Sequence, residues 1–184
     1  MTWAMTIGNE MGAEDTGLAR LRSGDTSGLT ELVLLYQQRL YRYLVRVVGD
    51  PTAAEDLFQE TWIRVTENIR RYDPDRSFEH WLFSVAHNLA IDYLRKRRPQ
   101  VLDENSMDRQ PAQKGALGRL IEQERTSMVA NAIAGLSAPY REVLTLRFGE
   151  DLKLDEIAAV TGSPLPTVKS RLRRALQCLR ERLQ

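Results

Sequence analysis

Cysteine and histidine are nearly missing from this chain, and that scarcity closes off most metal and redox chemistry. Cys178 stands alone, so no disulfide can form within the chain. With only His80 and His87 beside it, no zinc finger of cysteine and histidine ligands can be assembled. A reducing, cytoplasmic setting suits that usage. Long apolar runs are absent too: the longest, Leu32 to Tyr36, falls far short of the ~20 residues a membrane-spanning helix needs. The N-terminus has no basic start followed by an apolar segment, which predicts a chain neither exported nor inserted in a membrane. Strand-type alternation and solenoid-type repeats are also missing. Nor is either charge in excess, since 26 basic residues face 25 acidic ones for a net charge of +1.

What is present is segregated. Arg95, Lys96, Arg97, Arg98 and residues 165–184 together hold ten basic residues and one acid, leaving 16 against 24 elsewhere. Two compact basic patches on an acidic body make partners of both signs plausible. With 184 residues, 42% hydrophobic and 28% charged, the chain suits one fair-sized domain or two small ones.

The apolar spacing favours two. Residues 1–14 lack periodicity and read as a disordered tail. From Leu29 the positions 29, 32, 33, 36, 40, 43, 44 and 47 form a helical stripe that stops at Gly49, and Asp50-Pro51 reads as the cap and first turn of a second helix. That helix carries Ala54, Leu57, Phe58, Thr61, Trp62, Val65 and Ile69 on one face and ends before the Tyr72-Asp73-Pro74-Asp75 turn. Ser77 then caps a third helix striped by Phe78, Trp81, Leu82, Val85, Ala86, Leu89, Ala90, Tyr93 and Leu94, broken by Pro99. Residues 99–126 turn polar and read as a flexible linker. Helical signals return over 127–184. The predicted fold is all-α: a helical bundle over 15–98 and a second small helical domain over 127–184.

The second domain carries the clearest chemistry. Leu154 to Val160 reads as a short helix, Thr161-Gly162-Ser163 as a turn, and Pro164 as the start of a longer helix capped by Ser163, which together make a helix-turn-helix signature. Val168, Leu172, Ala175, Leu176, Leu179 and Leu183 form its buried stripe. Lys169, Ser170, Arg173, Arg174 and Gln177 share the opposite face, where Arg and Lys can donate to guanine O6 and N7. Thr167 and Arg171 flank that face and suit phosphates. An Arg-rich surface helix can also be merely solvated, but following a helix-turn signature it favours DNA. The basic cluster 95–98 ends a helix, where cations are favoured without any ligand; the aromatics upstream suit unpaired nucleic acid. Among those, Phe78 and Trp81 share the core stripe, whereas Tyr72 and Phe83 read as freer. Asp56, Gln59 and Glu60 fall on one surface of an acidic helix. No partner histidine, nucleophile or glycine loop accompanies them, so a docking surface for a basic partner is the better reading than catalysis or a metal site. Cys178, on a leucine-rich helix, reads as packing.

These segments resemble a known family, the sigma factors of bacterial RNA polymerase, and specifically the extracytoplasmic-function (ECF) group of the sigma-70 family, which has only σ2 and σ4 domains. Ala54 to Trp62 (AEDLFQETW) looks like that family's core-binding segment, and Phe78 to Arg98 (FEHWLFSVAHNLAIDYLRKRR) like its promoter-melting and −10 segments. Leu136 to Arg182, with Thr167-Val168-Lys169-Ser170-Arg171-Leu172, is similar to σ4, and Ser23-Gly24-Asp25 fits the opening helix pair.

The resemblance implies a σ2-like domain and a σ4-like domain with promoter DNA, core RNA polymerase and an anti-sigma protein as partners, and with no cofactor, metal or catalytic residue. Asp56, Gln59 and Glu60 would dock on the polymerase. Arg71, Tyr72, Asp73, Arg76 and Ser77 would capture a flipped base of the −10 element, with His87, Asn88, Asp92, Arg95, Lys96, Arg97 and Arg98 along the same strand. Thr167, Lys169, Ser170, Arg171, Arg173 and Arg174 would engage the −35 element. Two departures from the family pattern are Lys153, where a Ser or Thr cap is usual and Asp151 is a substitute, and Pro166 in a first helical turn, where it is tolerated. A stand-alone helix-turn-helix repressor or activator would explain the second domain but leave the acidic helix and residues 78–98 without a role. A recombinase or nuclease would need carboxylates or a nucleophile that the first domain does not assemble.

Overall fold

The computed structural model describes residues 3–97 and 128–183, with side chains from residue 12 onward. Arg98 and the 99–126 linker lie outside the described residues. Every regular element among the described residues is helical.

Helix α1 (Trp3–Ser23) takes in most of the stretch whose composition reads as a tail. Leu18 and Leu21 are buried, and Glu14 accepts a hydrogen bond from the Tyr36 hydroxyl. Once its last turns are docked, a helix elongates at little further cost, whatever its upstream periodicity. Its partner, α2 (Ser27–Val48), approaches backbone to backbone: a Cβ at Gly28 would lie 2.3 Å from the carbonyl oxygen of Gly17. Leu32, Tyr36, Leu40, Tyr43, Leu44 and Val47 are buried, as the stripe requires.

The punctuation also holds. Gly49 ends α2, and the Asp50 carboxylate accepts from the Ala53 N–H at 3.3 Å to start α3 (Pro51–Asn68). A short 3-10 turn (Ile69–Arg71) follows, and the Ser77 hydroxyl accepts from the His80 N–H at 3.3 Å at the head of α4 (Phe78–Arg97).

The second unit comprises α5 (128–134), α6 (Ala138–Leu144), a π-type turn (Thr145–Gly149), α7 (Leu154–Thr161) and α8 (Leu165–Leu183). Its own small core holds Leu136, Leu144 and Ala175, with half-buried Cys178 packed against them as a side chain of the interior. The two units are not held apart. Val143, Leu146, Leu152, Ile157, Val160 and Val168 join the same buried cluster as Leu40, Leu44 and Phe83, with α4 lying on α7 and α2 on α6 and the π-type turn.

That packing corrects the reading of α4. Phe83, off the stripe, is fully buried, its ring edge-on to Tyr43 at 5.2 Å and 88°. A single-helix stripe reports one buried face; α4 has two. Tyr72 is also buried, against Phe78 and Trp81 at 5.6 and 5.2 Å, and its hydroxyl donates to the Arg76 carbonyl within the same turn. In α8 the predicted stripe is too wide. Leu176 and Leu183 are exposed at 44% and 41%, because α6 covers only a narrow seam of the helix. The caps differ as well. Helix α8 begins at Leu165, one residue later than predicted, and the Pro164 carbonyl accepts from the Thr167 N–H at 2.8 Å while the Ser163 hydroxyl takes a bond from Arg171. At α7 the Glu156 carboxylate accepts from the Lys153 N–H at 2.7 Å, and Asp151 points to solvent. The usual capping hydroxyl is thus replaced by the reciprocal half of a capping box.

Candidate functional site

Three surfaces gather the candidate residues. The first is on α3, where the cap at Asp50 and buried Ala54, Leu57 and Val65 fix which side faces water. Asp56 and Gln59 are exposed, and half-buried Glu60 accepts from Arg64 at 2.8 Å. Ile63, 52% exposed, completes this face one turn on. A search for charge passes over it, yet an uncovered isoleucine among polar neighbours is the signal that would have found it.

The second surface runs from the 3-10 turn along α4. Arg71, Asp73, Arg76 and Ser77 are exposed around the buried Tyr72 anchor, with Arg76 paired to Asp73 at 3.4 Å. A groove between α3 and α4 has Trp81, Val85 and Leu89 for a floor and Arg64, Asn68, Arg71, Asn88 and Asp92 for a polar rim. Arg64 and Asn68 were not singled out in sequence, since they lie on the other helix of the groove. Along the end of α4, Lys96 is exposed without a partner among the described residues, whereas Arg95 pairs with Asp92 at 2.9 Å and Arg97 with Asp50 at 2.7 Å. Arg97 holds the Asp50 carboxyl below the usual carboxylate range, helped by the Ala53 N–H. His87 departs from this row. Its Nδ1 sits 2.5 Å from Glu142 Oε1, and its side chain is only 12% exposed.

The third surface is α8. Gly162, at φ +60, makes the left-handed turn that lets α8 cross behind α7, and buried Val168 and Ala175 fasten it. Lys169, Ser170, Arg173 and Arg174 face water; none of the three cations has a hydrogen bond or ion pair among the described residues. Thr167 is half-buried beside them, and Arg171 is drawn back to Ser163 at 3.0 Å. Unpaired cations on the second helix of a helix-turn-helix are free to donate to base edges or phosphates.

Between the units lies a polar seam. Glu142 Oε1 accepts from the Tyr43 hydroxyl at 2.6 Å besides meeting His87. Arg39 donates to Glu150 Oε2 at 2.9 Å and also binds Glu79. Burial pushes the Glu150 carboxyl above its ordinary value, with Arg39 pulling the other way. Arg141 donates to the Val47 carbonyl at 2.7 Å. Among the described residues no cluster of three or more His, Cys, Asp or Glu is placed to hold a metal, and no helix is long and apolar enough to cross a membrane.

An all-helical pair of domains with an acidic helix face in one and a basic helix-turn-helix in the other defines a DNA-reading adaptor. Comparison with known proteins narrows the class. The Sigma-70 region 2 family model matches residues 32–100 and the Sigma-70 region 4 model residues 126–179. The ECF RNA polymerase sigma factor SigW of Bacillus subtilis is 31% identical over 91% of this chain and 95% of its own length. SigE of Mycolicibacterium smegmatis is 35% identical over 92% of this chain and 68% of its own. Among solved structures, the sigma factor RpoE of Bartonella quintana, in complex with the anti-sigma factor NepR, aligns with a TM-score of 0.64 at 27% identity, covering 84% of this chain and 95% of that one. CnrH in complex with the cytosolic domain of CnrY aligns at 0.69 and 24% identity, covering 93% and 97%, a likeness of fold. The chain belongs to the ECF sigma factors of the sigma-70 family, which direct promoter-specific initiation of transcription.

Proposed function

We propose that Asp56, Gln59, Glu60 and Ile63 of α3 dock this chain on core RNA polymerase, while Lys169, Ser170, Arg173 and Arg174 of α8 read the −35 element and Thr167 and Arg171 steady the backbone. The turn from Arg71 to Ser77 captures a base of the −10 element, with Asn88, Asp92, Arg95, Lys96, Arg97 and Arg98 beside the strand and His87 joining them once it is free of Glu142. The observation that carries this reading is the pairing of an uncovered acidic helix face in one unit with an unpaired cationic face in the other. Opposite charge on separate units suits two different partners at once. Strand opening is driven by binding energy, and the chain performs no chemistry of its own. It works in the cytoplasm. An anti-sigma protein is a further partner, a reading supported by the likeness to RpoE solved with NepR.

The test is charge reversal, Asp56→Lys with Glu60→Lys. It removes the Glu60–Arg64 pair, whose exposed i,i+4 geometry contributes only about 0.3–0.5 kcal/mol, so folding is retained. Against a basic partner, like-charge contact costs several kcal/mol. Co-elution with core polymerase is lost; unchanged co-elution would contradict the assignment.

A further inference from the structure

The end of α4 and the head of α3 meet at one arginine. Nη1 of Arg97 donates to Asp50 Oδ2 at 2.7 Å and also to the Tyr93 hydroxyl, and the guanidinium lies 5.7 Å from the centroid of the Tyr93 ring. A single nitrogen thus makes both bonds. The Nε–Nη2 edge makes no hydrogen bond among the described residues, and the side chain stays 58% exposed. Its neighbours are held differently: Lys96 has no partner among the described residues, and Arg95 is tied through Nη2 to Asp92 of its own helix.

Folding does not call for this arrangement. Asp50 starts α3 by accepting the Ala53 N–H, which an uncharged Asn does equally well. An exposed ion pair adds little stability, and α3 already packs on α4 within the buried core. A cation at a helix C-terminus is favoured by the helix dipole without any partner. What the three contacts accomplish is orientation. A free arginine gives up much rotamer freedom when it binds a ligand, whereas one already fixed at Nη1 and against a ring gives up less. The open edge keeps two parallel N–H donors, the fork that matches two phosphate oxygens.

We propose that Asp50 and Tyr93 are positioning residues for Arg97: together they hold its guanidinium so that the Nε–Nη2 edge is presented to a phosphate of single-stranded DNA. That this strand is the −10 strand rests on the proposed function; the presentation of the edge to a phosphate does not. Neither residue touches the DNA, and each acts through the arginine.

The experiment titrates the full chain with a labelled oligothymidylate, a single strand bound through its backbone and stacking, and follows fluorescence anisotropy over a range of salt. Asp50→Asn keeps the cap and frees the guanidinium, so affinity falls about threefold or more. Arg97→Ala falls at least as far, and its log–log salt slope drops by about 0.7, one phosphate contact, whereas the slope of Asp50→Asn stays at the wild-type value. In the Arg97→Ala background Asp50→Asn has no further effect. That silence separates positioning from general damage to α3, since damage would add to the loss. Tyr93→Phe keeps the ring and loses only the hydroxyl; it shifts affinity in the same direction by less, and carries the test if circular dichroism shows Asp50→Asn unfolded. Equal or tighter binding by folded Asp50→Asn would overturn the inference, because the carboxylate would then be idle or in competition with the strand. So would an Asp50→Asn loss that persists without Arg97, or a wild-type chain that binds no oligothymidylate at low salt. If the coupling holds but transcription by the chain with core RNA polymerase is unaltered in Arg97→Ala, the positioning stands and the −10 placement of Arg97 fails.

Discussion

Replacing Phe83 by Ala separates two accounts of the aromatic cluster. Phe83 is fully enclosed: Tyr43 stands edge-on to it at 5.2 Å, and the Arg39 guanidinium lies 5.9 Å from its centroid. Truncating a buried Phe costs about 3–5 kcal/mol, of which the edge-to-face pair supplies about 0.5–1.5. An exposed aromatic kept for stacking on a base would cost within about 0.5 kcal/mol. In urea unfolding, with a slope near ~2 kcal/mol/M, the expected loss moves the midpoint down by about 1.5–2.5 M. Since the ring packs on α2 within a buried cluster that also takes in residues of the second unit, the loss should be shared by probes in each. A cost under about 1 kcal/mol, together with selective loss of promoter opening, would refute the packing argument and return the ring to the nucleic acid.

Other predictions follow the same residues. Arg174→Ala should cost about 1–3 kcal/mol at one position of the −35 element and relax selectivity there in a binding assay across sequence variants; a uniform loss across all sequences would deny it a base-reading role. Asp50 titrates below its ordinary range through Arg97 and the Ala53 N–H, so the folded state holds its proton less readily than the unfolded chain. Its stabilisation is present above the unfolded pKa and fades as pH falls through the folded one, so the melting temperatures of wild type and Asp50→Asn should converge below pH ~4. Gly162→Ala meets open space but not a comfortable backbone; at φ +60 it should cost about 1 kcal/mol and weaken −35 binding by tilting α8, as thermal melts and DNA titrations would register.

The parts legible in the sequence are those set by local chemistry. Gly49, Asp50, Ser77 and Gly162 punctuate helices through backbone conformation and capping, which need no knowledge of distant contacts. The stripe of α2 survives for the same reason, since a long helix with one apolar side has one way to hide it. Phe83 was misjudged because its cover comes from elements far along the chain, and Leu176 because a stripe says nothing about how wide its covering partner is. Glu142 and Glu150 gave no signal at all: a buried carboxylate looks like a surface one until its donors on α2 and α4 are in place. The exposure of the charged candidates was legible, because a polar side chain on an uncovered helix face depends on that helix alone. Asp56, Gln59, Lys169, Arg173 and Arg174 all stand in water.

The most direct test is transcription itself. Core RNA polymerase should be combined with the purified chain on a library of promoter fragments, and the transcripts mapped. The account predicts that transcripts appear only with the chain added, share aligned start sites, are lost with Asp56→Lys, Glu60→Lys, and with Arg174→Ala weaken on matched promoters and tolerate changes at one −35 position. If the polymerase initiates identically with and without the chain, the chain is not acting as its promoter-specificity subunit.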